Sequence, residues 1–87
     1  TDSIGEIENQ LNKDPYNKDA RLEFSIQLLQ SNQIEKGFQE LLILFEQDPN
    51  WNEEAAKKKL LEYFDLLGFA DPNVIEARKQ LSSLMFK

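Results

Sequence analysis

The sequence predicts an all-α fold of antiparallel helical hairpins, about five helices in a short right-handed solenoid. Three observations predict it. Asp14-Pro15 recurs as Asp48-Pro49, 34 residues further on, and the same shift lays Ile4 on Phe38, Glu6 on Glu40, Ile7 on Leu41 and Leu11 on Phe45. Apolar residues fall at helical spacing between successive turn signals. Capping residues stand where those apolar segments begin.

A repeat that ends at Pro49 begins at Lys18. Its first helix should carry a bulky residue followed by a small one, and Phe24-Ser25 stands there, with Leu28 one turn later. Its second helix should open on a small residue where the two helices cross closely, and Gly37 fills that place, followed by Leu41 and Leu44. Period and positions together resemble the tetratricopeptide repeat. The tryptophan expected near the start of such a unit is replaced by Arg21. Residues 1–87 read as one domain of this type, a piece of a longer chain.

The first helix is expected over 3–13. Ser3-Ile4-Gly5-Glu6 has the spacing of a capping box, and Ile4, Ile7 and Leu11 share a face, as in the second half of a preceding repeat. Pro15 then breaks the helical run, as Pro49 does one period later. The second helix, 18–31, is capped by Asn17 and carries apolar residues on two opposed faces: Ala20, Phe24 and Leu28 on one, Leu22, Ile26 and Leu29 on the other. Ser31-Asn32-Gln33 forms the turn into the third helix, 34–47. Here Ile34, Phe38, Leu41, Leu42 and Phe45 point inward and Ile43 points away.

Asn52 is expected to cap a fourth helix, 52–67, with Glu53 and Glu54 in its first turn at the positive end of the dipole. Ala56, Leu60, Tyr63, Phe64 and Leu67 form its buried stripe, and Gly68 ends it in a left-handed conformation. Trp51, just before that cap, reads as a hydrophobic staple toward Ala55 or Ala56 that locks the angle between hairpins, with a partner-binding anchor as the competing role. Asp71 caps the fifth helix, 72–86, with Pro72 in the first position, where a missing amide hydrogen costs nothing. Val74, Ala77, Leu81, Leu84 and Met85 face inward. Asp71-Pro72 follows Asp48-Pro49 by only 23 residues, so this last hairpin departs from the repeat, as terminal units often do.

Composition narrows the function. With 87 residues, the chain supports one domain near the size at which an apolar core suffices without disulfides or metal. It has no Cys and no His, which removes thiolate chemistry, thiolate zinc sites, the usual near-neutral acid/base and the commonest metal ligand. A net charge of −6 repels a phosphate backbone, so nucleic acid is not an expected partner. No apolar run approaches the roughly 18 residues of a membrane helix. The chain opens at Thr1 with neither an initiator Met nor a signal peptide, which reads as an excised piece of a cytoplasmic protein or a processed terminus.

The closest carboxylate pairs, Glu6 with Glu8, Glu53 with Glu54 and Glu62 with Asp65, read as solvated faces, with residual metal binding the alternative. Lys57-Lys58-Lys59 fans out at about 100° per residue and forms no single patch. Glu54, Lys58 and Glu62 are spaced for salt bridges along the helix surface, with docking of an acidic partner the lesser role. Neither a catalytic site nor a cofactor or metal site is expected, and the chain reads as no enzyme. The best functional clue is the stripe of Leu22, Ile26 and Leu29. In a tetratricopeptide array the first helix of each repeat lines the concave wall, where these residues would meet an apolar partner segment. Packing on the chain's own first helix or on a neighbouring domain is the competing use.

From Asp48 onward the run Asp48-Pro49-Asn50-Trp51-Asn52-Glu53-Glu54-Ala55-Ala56-Lys57-Lys58, then Leu60-Leu61, Leu66-Leu67-Gly68, Asp71-Pro72 and Ser83-Leu84-Met85-Phe86, resembles the carboxyl-terminal domain of the bacterial YbbN/CnoX thioredoxin-like co-chaperone family. Phe69-Ala70 departs from its more polar pattern. The resemblance implies a cytoplasmic co-chaperone that holds unfolded client proteins and passes them to the chaperonin and an Hsp70-type chaperone. It implies a terminal helix that docks on the chaperonin, placing Ile75, Ser82 and Phe86 on a side free of the core stripe. The alternative is a structural or dimerisation domain that positions an attached thioredoxin-like oxidoreductase, through homo-oligomer contacts or contact with that missing domain.

Overall fold

Backbone conformation at four short turns sets where each helix starts and stops. The computed structural model describes residues 3–86, with side chains from residue 5 onward. Five helices follow in order: α1 (Ser3–Lys13), α2 (Lys18–Gln30), α3 (Ile34–Gln47), α4 (Ala55–Leu67) and α5 (Pro72–Met85). No strand occurs among the described residues. Ile4 and the capping box of Ser3 with Glu6 lie outside the described side chains.

The sequence-level caps are visible at two starts. The Asn17 side chain accepts a hydrogen bond from the Ala20 amide at 3.1 Å, and Asp71 accepts one from the Asn73 amide at 2.8 Å with Pro72 beginning the helix. Each occupies one of the amides that a helix start leaves without an internal partner. The α2–α3 turn closes as a Schellman motif. Asn32 adopts φ 67°, its amide donates to the Leu29 carbonyl at 3.2 Å and the Gln33 amide donates to the Leu28 carbonyl at 2.8 Å. Asparagine tolerates this left-handed position better than most residues, which lets α2 end at Gln30 without a glycine.

The start of α4 differs from expectation. Asn52, Glu53 and Glu54 have φ of 51°, 57° and 63°, so the helix begins only at Ala55 and Asn52 does not cap it. Glu54 occupies the cap position and its side chain bonds no helix amide, and neither glutamate enters the first turn. Trp51 packs against the large core and Ala56 is buried within it. The residues between must reverse the chain tightly, and that packing outweighs a local cost of about 1–2 kcal/mol for each non-glycine residue in this region. Trp51 stands three residues before the cap, too early for a staple, and acts as an edge of the core. Gly68 ends α4 with φ 92° and ψ 151°, an extended glycine-only conformation rather than the left-handed helical one expected. Nothing lies within 4 Å of an added Cβ, so backbone conformation and not space requires glycine there.

Two apolar cores result. Leu11 of α1 meets Ala20, Phe24 and Leu28 of α2, with Ile7 against them. The second core gathers Leu29 from α2 with residues of α3, α4 and α5, including Phe38, Leu41, Leu60, Phe64 and Val74. Phe38 and Phe64 meet edge to face, centroids 5.4 Å apart at 82°, the geometry that aromatic quadrupoles favour. The opposed faces of α2 are thus both used, since α2 lies between α1 and α3. At the α2–α3 crossing, a Cβ on Gly37 would stand 2.6 Å from Leu29 Cγ. α4 and α5 each pack closest to α3 and much less to one another, a stronger departure from a paired hairpin than the shortened spacing suggested. Met85, expected inward, is exposed at the end of α5.

Candidate functional site

The stripe expected to line a concave wall is mostly consumed by the fold. Leu29 is buried in the large core, Leu22 packs against it and Ile26 is half-buried. The reason lies in the close crossing: with only a hydrogen at Gly37, α3 approaches until Leu29 fills the space. Ile26, half-buried, belongs to neither core.

The terminal helix presents its candidates differently. Ile75, Ser82 and Phe86 are all exposed, Ile75 at 53% and Phe86 at 82%. Offsets of seven and eleven residues return to within about 20° of one line on a helix, so they form a single outward stripe on α5, with Phe86 at its C-cap. Leu22 and Leu29 are not joined to it, since they pack inward from α2 on the larger core. Phe69, in the α4–α5 turn, lies under the Arg78 guanidinium at 4.9 Å, a cation–π contact that ties this turn to α5.

A groove that sequence reasoning missed runs between α3 and α5. Two adjoining depressions of about 380 and 390 Å³ share Gln39, Leu42 and Gln80. Their apolar lining includes Phe38, Leu42, Ile43, Ala77 and Leu84, and their acidic lining is Glu35, Glu46 and Glu76. The exposed Ile43 was the one available signal. The second wall comes from a helix that begins well beyond the next one in sequence, so local spacing does not reveal the pair.

Arg21 takes up the place of the missing tryptophan with polar chemistry. Its guanidinium donates to Glu40 Oε1 across to α3 and to the Pro15 carbonyl at 3.0 Å, bracing the α1–α2 turn against the second hairpin. Its Nε is buried without a partner. The six paired carboxylates considered above are all exposed, and Glu62 accepts from Lys59 at 2.9 Å. Lys58 approaches Glu53 at 4.0 Å in place of the Glu54–Lys58–Glu62 ladder, because Glu54 is not in the helix. Surface pairs of this kind contribute under about 1 kcal/mol. Among the described residues no three His, Cys, Asp or Glu side chains gather as a metal site, and no helix is long and apolar enough to cross a membrane.

A family model described as tetratricopeptide repeat matches residues 1–86. No curated protein and no solved structure matches the chain.

Proposed function

We propose a function from one premise, that the chain belongs to the tetratricopeptide repeat family: it is a non-catalytic protein-binding module that engages partners through the outer stripe of α5. Tetratricopeptide repeats generally mediate protein–protein interaction. The observation that carries the assignment of the surface is the exposure of Ile75 and Phe86 along one line with Ser82. Isolated exposed apolar residues are ordinary, but an aligned apolar pair on a terminal helix offers anchors to a partner groove or helix. Ile26 provides a smaller second point of contact.

The finer reading is that of a cytoplasmic thioredoxin-like co-chaperone domain, with unfolded clients, the chaperonin and an Hsp70-type chaperone as partners. The resemblance of residues 48–86 to the YbbN/CnoX pattern supports it, and the exposed α5 stripe is compatible with docking on a chaperonin. Capture of purified chaperonin and of a chemically unfolded client by the full-length protein tests both levels. Ile75→Ser with Phe86→Ser should reduce capture at least tenfold while helical ellipticity is unchanged. Undiminished capture with intact helicity would remove α5 as the binding surface. A protein that captures neither species and sediments as a dimer would favour the structural or dimerisation role.

A further inference from the structure

We propose that the α3–α5 groove is a second docking surface that takes a basic amphipathic helix from a partner protein. The inference rests on the protein-binding reading above and names the chemistry of one partner segment.

Both walls are α-helices whose backbone groups are bonded internally, so no strand can add to them and recognition must come from side chains. The groove spans Glu35 to Glu46 on one wall and Asn73 to Leu84 on the other, about 16 Å at the rise of an α-helix, or three turns. Phe38, Leu42 and Ala77 are buried and close its floor, while half-buried Leu84 and Ile43, 39% exposed at one edge, present its apolar surface. A ligand helix with apolar residues at i, i+3, i+4 and i+7 matches such a strip.

Charge decides the sign of the partner. Among the described residues, the lining of the two depressions holds Glu35 on one wall and Glu76 on the other, with Glu46 at one end, and no Lys or Arg. The chain as a whole carries −6. An acidic helix would meet like charge on both walls, whereas Lys or Arg beside the apolar strip would meet opposite charge, which raises the rate of encounter and fixes orientation. Gln39 and Gln80, shared by both depressions, supply neutral hydrogen-bonding groups at the middle of the groove.

Fluorescence anisotropy with a labelled 18-residue Leu/Lys peptide tests the proposal, with Leu at i, i+3, i+4 and i+7 and Lys elsewhere. A matched Leu/Glu peptide is the comparison. The protein should bind the Leu/Lys peptide at least tenfold more tightly. Glu35→Lys with Glu76→Lys should weaken it at least tenfold and reverse the preference, and Ile43→Ser should weaken it severalfold with the salt dependence unchanged. Glu23→Lys with Asp65→Lys makes the same change in net charge away from the groove and should shift affinity less than twofold, with circular dichroism confirming that every variant is folded. Equal losses in the two charge-reversed proteins would overturn the proposal in favour of unlocalised attraction, and equal binding of the two peptides would overturn it in favour of apolar adhesion. A wild-type dimer in sedimentation that Ile43→Ser dissociates would overturn it by assigning the groove to a second copy. Capture that depends on Ile75 and Phe86 persists in each of these cases, so the groove can fail while the binding-module reading stands.

Discussion

The two apolar cores hold their helices by different means. The smaller joins α1 to α2 through Leu11, Ala20, Phe24 and Leu28, with Ile7 at its margin. The larger draws on four helices and includes Leu41, Leu44, Leu60 and Val74 with no measurable exposure. α1 therefore rests chiefly on α2, whereas α3 packs on three helices. Stability within a domain follows such differences, because an element held by few buried contacts opens at lower free energy than one at the centre. α1, held by the smaller core, is the weaker end, and α3, packed against α2, α4 and α5, anchors the fold.

The largest effect is expected where the larger core is cut. Phe64→Ala removes the edge-to-face partner of Phe38 from a site 2% exposed and should cost about 3–5 kcal/mol. Urea denaturation followed by circular dichroism should show the whole transition moving, and a shift below 1 kcal/mol would mean the core collapses around the gap. Leu11→Ala should cost about 2–3 kcal/mol, near the low end for a leucine because its surroundings are at the edge of the domain. Hydrogen exchange should then accelerate in α1 and leave α4 and α5 protected; equal acceleration throughout would erase the distinction between the cores.

The smallest change probes the point where the two regions meet. Gly37→Ala places a Cβ 2.6 Å from Leu29 Cγ and 2.8 Å from its Cδ2, an overpacking worth about 1–3 kcal/mol. The gain in helix propensity returns about 1 kcal/mol. A net loss near 1 kcal/mol in thermal or urea unfolding is expected, and a stabilised protein would show that α3 can withdraw from α2 without harm.

Local features were readable in the sequence wherever a single residue decides them. Asn17 and Asp71 cap as their side-chain chemistry requires, and Gly37 marks a close crossing. Asp-Pro serves two opposite ends: after α1 and α3 it stops a helix, and before α5 it starts one. The turn at Asn52–Glu54 was not readable, since asparagine followed by two glutamates has the composition of a helix start and only the packing of Trp51 and Ala56 prevents it. The α2 stripe was legible as a second apolar face, but its use was not. Which neighbour covers Leu29 depends on how closely α3 approaches. The α3–α5 groove depends on the relative placement of two helices distant in sequence, a relation that no local period encodes.

Trp51 is the single tryptophan, and it rests half-buried against the larger core. Its emission is therefore an optical gauge of that core alone, while far-ultraviolet ellipticity counts helix from every part of the chain. Release of α1 from Ala20 and Phe24 of α2 would dim the second signal and leave the first untouched. The placement of one indole thus makes the domain its own test of two-state behaviour, with any separation between the two melting curves measuring the independence of its first helix.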